Sequence, residues 1–367
     1  MEILIFIAVI VALIVVHEFG HFVAAKLAGM RVDEFGLGYP PRALVIVKRG
    51  ETLYTLNWLP FGGFVKIYGE DGTSADAPNP RAFTSKNRLA QALVLVAGVA
   101  MNMLFAYILI TGALVMGTPR ALSGDELAIA RDTELIVANV LPNSPAAKAG
   151  LSPGDTIVSA EDGHYMFDGV DPATFTEFVA GGQGNTTIAM SLRSATGEEK
   201  TIFVRPEKGV IESDPSRAAL GVEVVPVGVV PLSLGEAIVE GAELTWGATV
   251  LTAQGLWNFF SGVFTFSADL SQVAGPVGIA GVVGSASSQG LGYLFSIMAI
   301  ISINLAIINL IPVPALDGGR LLFVIIESVT RRPIKSSVSG AVNAIGFVFL
   351  ILLMVVITAN DIFRLVG

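Results

Sequence analysis

"VVHEFGHFVA", residues 15–24, closes an apolar run that begins at Ile3, and the fold turns on how it is read. Two histidines and a glutamate stand inside a segment long enough to cross a bilayer, where hydrocarbon offers nothing to solvate them. Such groups mark a functional site. The segment Ile3 to Leu27 exceeds the ~20 residues that a helix needs at 1.5 Å per residue. Glu2 precedes it, no Lys or Arg does, and no small-residue cleavage site ends it, so it reads as a span rather than a signal peptide.

Four residues on a helix separate His17 and His21 by roughly 40° around the axis and one turn along it, so both imidazoles can reach one ion. Glu18 lies beside the first of them, where it can serve water instead of the ion. This is the division of labour of H-E-x-x-H zinc hydrolases. The chain has three histidines and no cysteine, so a metal here must be held by His, Asp, Glu or Asn. His164 reads as an ordinary surface residue.

Composition agrees with a membrane setting. Hydrophobic residues make up 53%, charged residues 14%, and mean hydropathy is +0.69, about half the usual charge of a soluble protein. Further spans are expected at Leu89 to Met116, Leu291 to Ile311 and Ala341 to Ala359. Between Thr118 and Gly290 stand twenty acidic and eight basic residues, an acidic, water-exposed insert with no sign of nucleic-acid binding. The loops 31–88 and 320–335 carry eight and four Lys/Arg, whereas the two tails carry only Arg364. The positive-inside rule makes those loops cytoplasmic and both termini external. A fifth span at 244–267 would reverse the second loop, so 232–266, with Glu236, Glu240 and Glu243 at helical spacing, is expected to be interfacial or partly embedded.

A zinc site with an open position takes three protein ligands. "NLAIINLIPVPALDGGR", residues 304–320, offers Asp317 as the carboxylate at the end of the third span. With four spans it lies towards the cytoplasmic side, as do the histidines. In the insert, "VANVLPNSPAAKAGLSPGDTIVSAEDG", residues 137–163, resembles a PDZ domain of the bacterial protease type, over about 127–206; such domains bind extended peptides by strand addition.

"HEFGH" in a first span, "NLIPVPALDGG" in a late one and a PDZ-like insert between them resemble the site-2 protease family of zinc intramembrane proteases, bacterial sigma-regulator type. The resemblance implies Zn2+ held by His17, His21 and Asp317, Glu18 as general acid/base, and Asn309 and Asn304 orienting the substrate backbone. It also implies that "LYTLNWLPFGGFVKI", residues 53–67, forms a β-element dipping into the membrane. Its apolar runs flank a turn at Pro60, Gly62 and Gly63, and Thr55, Phe64, Val65 and Lys66 would face substrate. One departure is Val99, where the family often has proline; Gly98 and Asn102 are kept.

The expected fold is a polytopic α-helical membrane protein of about four transmembrane helices, with an inserted α+β PDZ domain and a membrane-associated β-hairpin at 52–67. The expected domains are 1–117, the first half of a membrane domain; 127–206, PDZ; 207–290, linker and interfacial amphipathic helices; and 291–367, the second half of the membrane domain. The expected function is hydrolysis of single-span membrane proteins, such as anti-sigma factors or remnant signal peptides, in the bacterial inner membrane. The PDZ domain would screen substrates from the outer face and could bind a peptide. A divalent-metal transporter and an inactive PDZ scaffold are the rivals. The first would need ligands spread along a path, and the second leaves the intact His17, Glu18, His21 and Asp317 unexplained.

Overall fold

The computed structural model describes residues 2–70, 79–181, 186–194, 197–211, 214–265, 274–332 and 334–366. It divides into two compact units, Met1–Leu114 with Leu234–Gly367, and Val115–Ser233. The first unit opens with α1 (Glu2–Leu27), the long strands β1 (Val32–Arg49) and β2 (Thr52–Ile67), and α2 (Arg88–Val115). The second holds β3 (Arg120–Ala121), β4 (Arg131–Val140), α3 (Pro145–Lys148), β5 (Thr156–Glu161), β6 (Met166–Phe167), α4 (Pro172–Gly181), β7 (Ile188–Arg193), β8 (Glu199–Val204) and β9 (Val222–Val229). The chain then returns to the first unit as α5 (Leu234–Phe264), α6 (Pro276–Gln289), α7 (Leu291–Leu310), α8 (Asp317–Thr330) and α9 (Ser336–Val366).

Four helices are long and apolar enough to cross a membrane: Glu2–Leu27, Arg88–Val115, Leu291–Leu310 and Ser337–Phe363. They coincide with the four expected segments. The helix α5 is not among them, and its threonines are accommodated locally: Thr245 and Thr249 donate to the carbonyls of Gly241 and Thr245, each at 2.6 Å. The expected linker 207–290 takes a different form. Within it, α6 buries Val283 completely, in a core with Val9 and Leu13 of α1, Ala106 and Leu109 of α2, and Ala299 and Ile303 of α7. Its run of Val, Ile, Ala and Gly lacks the charge that would mark a surface face, so it packs as a core helix.

Glycine sets the spacing of α1 and α2. A side-chain carbon added to Gly20 would fall 2.9 Å from Met101 Cβ and closer still to the Ala97 carbonyl oxygen. Real carbons do not approach so closely. Small residues at such a crossing let helix backbones meet. The helix α2 is unbroken through Val99, as the backbone N–H that proline would lack predicts.

The β-element departs from a simple hairpin at 52–67. Glu34, Phe35, Gly36 and Leu37 of β1 have partners on both sides. On one side these are Lys66, Val65, Phe64 and Gly63, numbers falling as the first rise. On the other they are Leu53, Tyr54, Thr55 and Leu56, numbers rising together. The two apolar runs of β2 therefore do not pair with each other; residues 34–37 lie between them. Leu44, Val45, Val47, Lys48 and Arg49 cover the outer side of 52–56. Thr55, expected on a substrate-facing edge, is paired with Gly36 and Val45 and buried, its hydroxyl donating to Glu34. This sheet packs on α1 and α2 through Val32, Ile67, Ala25, Val94 and Leu95.

In the second unit the sheet order is β3-β9-β4-β5-β7-β8, with β6 on β5. Leu135, Val137, Ile157, Ile188, Met190 and Leu192 alternate into one core with Phe175 and Val179 of α4. The unit runs to Ser233, past the expected boundary at 206, because β9 pairs along nearly all of β4. A strand that is distant in sequence leaves no local periodicity to reveal its partner.

Candidate metal centre

His17 and His21 lie on the face of α1 that meets α2, and Gly98 makes room for them. A side-chain carbon at Gly98 would fall 2.8 Å from His17 Cε1, 2.7 Å from His21 Cε1 and closer to His21 Nε2. The two rings meet edge to face, centroids 4.8 Å apart. Asp317 reaches them as the first residue of α8. The loop that delivers it is wound tightly: a side chain on Gly318 or Gly319 would strike the carbonyls of Leu310, Ile311 and Val313. Ala315, in that loop, has φ 74°, and its N–H donates to Asn343 Oδ1 of α9 at 3.3 Å.

Three atoms converge. His17 Nε2 and Asp317 Oδ2 are 3.0 Å apart, His21 Nε2 and Asp317 Oδ2 3.1 Å, and the two Nε2 atoms 3.2 Å. Protons satisfy such a triangle poorly, since one carboxylate oxygen and two imidazole nitrogens then compete for shared protons. A cation satisfies all three at once. A tetrahedral ion about 2.0–2.1 Å from each ligand needs ligand separations of about 3.3 Å, close to those found, and imidazole and carboxylate are a zinc donor set. The residues fit the ion. Among the described residues this is the one grouping of three such side chains that could hold a metal. His21 Nδ1 lies 2.8 Å from the Val94 carbonyl, which accepts its proton and leaves Nε2 free for the ion.

A cavity of about 270 Å³ opens beside the triangle, lined by Glu18, His21, Asp317, Asn309, Tyr39, Phe64, Val65 and Arg320 among others. The strand 63–67 passes directly over Glu18: a carbon on Gly63 would sit 3.2 Å from Glu18 Cγ and 3.0 Å from Ile14 Cγ2. Arg320 is held by Glu70 at 2.7 Å. Burial raises the Tyr39 hydroxyl above its usual pKa, helped by the negative charges of Glu18 and Asp317.

Of the expected site residues, Glu18, His21, Asp317, Asn309, Phe64 and Val65 line this cavity, and His17 meets two of them, Asp317 and His21. Others fall outside it. Asn304 donates to Ile300 of its own helix at 2.9 Å, Lys66 is exposed beside Glu34, and Thr55 is interior to the sheet. His164 is exposed, as expected. Sequence reasoning missed Tyr39, Arg320 and the roles of Gly98 and Asn102. For the last two a signal existed: they are four apart in an apolar helix, and so share a face.

The sequence profile described as Peptidase family M50 matches residues 5–353. A protein of Clostridium perfringens, named provisionally as a zinc metalloprotease, is 36% identical over 96% of this chain and 95% of its own length. Another from Clostridium acetobutylicum, with a name of the same kind, is 32% identical over 95% and 94%. The zinc metalloprotease RasP of Geobacillus kaustophilus is 28% identical over 97% and 96%.

Proposed function

We propose that this chain, which belongs to peptidase family M50 and is a membrane zinc metalloprotease of the site-2 protease family, hydrolyses peptide bonds of single-span membrane proteins within or near the bilayer. Anti-sigma factors and remnant signal peptides are the substrate types. His17, His21 and Asp317 hold the zinc, and Glu18 is the general acid/base. The observation that carries this reading is the juxtaposition of the donor triangle, Glu18 and strand 63–67 around one cavity.

Bound zinc supplies Lewis acidity, polarising a carbonyl and acidifying water. Glu18 takes a proton from the attacking water and returns it to the departing amine. Asn309, on the cavity wall, offers an amide to the substrate backbone. A helical substrate hides its peptide bonds, so it must be held extended. The 63–67 strand has β1 on one side, and its other side is proposed to take the substrate as an added strand. Phe64 and Val65 would touch substrate, whereas Thr55 is interior to the sheet, Asn304 donates within its own helix and Lys66 is exposed outside the cavity.

The Val115–Ser233 unit is proposed to be a PDZ-type domain on the outer face, with both termini on that side and the active site towards the cytoplasm. A groove of about 380 Å³ between α4 and β9, lined by Phe175, Thr176, Val179 and Leu220 to Val224, supports peptide binding by strand addition, and with it the screening of substrates.

The test is Glu18→Gln in the full chain, purified in detergent and presented with a generic single-span protein. Zinc content should match that of the unaltered protein while cleavage falls by about 10²-fold or more, the contribution of a positioned general acid/base. Loss of the metal, or retained cleavage, would remove Glu18 from this role.

A further inference from the structure

His21 has a backbone carbonyl behind it, and the corresponding support for His17 comes from a side chain. We infer that Asn102 is a positioning residue of the metal centre: its carboxamide accepts the Nδ1 proton of His17 and so aims Nε2 at the ion. This rests on the reading of His17 as a ligand.

Asn102 is completely buried. Its carboxamide lies 3.3 Å from His17 Nδ1, with Nδ2 turned towards that atom and Oδ1 without a hydrogen-bond partner among the described residues. The donor set decides the orientation. An imidazole that gives its Nε2 lone pair to an ion carries its proton on Nδ1, and an N–H facing an N–H₂ is a repulsive contact that also strands Oδ1. Half a turn of the carboxamide, which leaves its outline unchanged, sets Oδ1 against Nδ1–H. Three faults, the clash, the stranded ring proton and the stranded oxygen, then reduce to one unpaired N–H₂. Ligating histidines almost always have such an acceptor behind them, and loss of it lowers metal affinity about 10–100-fold.

The backbone at this point is held as well. Ser302 of α7, also fully buried, donates to the Asn102 carbonyl at 2.8 Å, so α2 is tied at this level to the helix that leads to Asp317. Asn102 is not among the residues lining the cavity; it acts through His17.

The experiment measures zinc affinity by chelator competition on the metal-stripped full chain in detergent, with apo thermal stability recorded for each variant. Asn102→Asp keeps an acceptor of the same size, Asn102→Leu keeps the branched outline in a somewhat larger volume without one, its apo stability showing that it is accommodated, and Asn102→Ala leaves space for a water that can accept in part. An acceptor role orders the affinities Asp at or near Asn, then Ala, then Leu, with Leu about 10–100-fold weaker than Asn. A packing role reverses the last two, because Ala leaves the larger void. Equal affinities, or Ala the weakest, would overturn the inference. Asp317→Ala runs alongside: if it binds zinc like the unaltered protein, the ligand assignment itself fails and this inference with it. If Asp317→Ala is weakened and Asn102→Leu is not, only the role of Asn102 falls.

Discussion

Replacing Gly98 by Ala adds one carbon at a crowded point of the proposed site, between the two imidazoles. That carbon lands 2.8 Å from His17 Cε1 and 2.7 Å from His21 Cε1, and closer to His21 Nε2. Carbons pack at about 3.5–4.0 Å, so each ring must retreat by roughly 1 Å or the helices must part. Neither is easy. His21 is held to Val94 at 2.8 Å, Asn102 stands behind His17, and α1 meets α2 closely again at Gly20. A donor triangle with sides of 3.0 to 3.2 Å does not survive a 1 Å displacement of two corners, and a misplacement of that size costs about 10²-fold in rate. Stability should move much less. Overpacking costs about 1–3 kcal/mol, and alanine in a helix returns about 0.5–1 kcal/mol relative to glycine. The assay is zinc content and chelator competition, with apo melting temperature and cleavage of a single-span substrate. Gly112→Ala in the same helix is the control, since its added carbon meets Phe295 at an ordinary 3.4 Å. Gly98→Ala should lose most of its zinc affinity and at least about 10²-fold in cleavage, and Gly112→Ala neither. Gly98→Ala with normal affinity and rate would refute the packing argument.

Proline removes a backbone donor, so proline at Phe64 or Val65 should abolish cleavage with zinc retained at whichever position donates to substrate, alanine there being milder. Thr55→Pro, inside the sheet, should reduce expression or melting temperature as well. Equal tolerance of proline and alanine at 64 and 65 would discard strand addition. Deleting the Val115–Ser233 unit should leave zinc bound and broaden cleavage to substrates with bulky outer domains; equal rejection of such substrates by both forms would end the screening role. In that unit, a hydrogen bond from Arg120 holds Glu126 down to about 2 against burial, helped by Ser123. A carboxylate with a lowered folded pKa contributes stability that is complete above its unfolded value, near 4.5, and is lost as pH falls through about 2. Glu126→Gln should therefore lower the melting temperature at pH 6 and flatten its fall between pH 4.5 and 2; an unchanged acid profile counts against the pair.

The four spans and the H-E-x-x-H pattern are legible in the sequence because length, hydropathy and helical spacing are local properties. Asp317 is legible too, as the carboxylate at the end of its span. What stays hidden is non-local. Residues 34–37 insert between two runs of β2 that look like hairpin partners, and nothing in "LYTLNWLPFGGFVKI" records a third strand between them. The same holds for β9 (Val222–Val229), which pairs with the far earlier β4 (Arg131–Val140). Lys66 and Asn304 differ for another reason: the family resemblance implies a substrate role for both, whereas here Lys66 is exposed beside Glu34 and Asn304 donates to Ile300 of its own helix. Tyr39 carries no signal at all, since a lone tyrosine after Gly-Leu-Gly resembles any strand residue.

The cost of placing two histidines in a span is met by three different devices, and each is visible in a particular residue. Removal of bulk comes first: Gly98 and Gly20 bring α2 so near that the imidazoles lie against its backbone and are shielded from lipid. Pairing comes second, since Val94 and Asn102 stand behind the Nδ1 atoms, and buried polar groups are tolerable only when partnered. The third is a counter-charge. Asp317 arrives on a loop so compressed at Gly318 and Gly319 that its carboxylate has little freedom to leave. A carboxylate held in this way has little freedom to relax towards water, which is what the proposed zinc site requires. The same rigidity makes Gly98, which carries no functional group, as informative a target as the proposed ligands themselves.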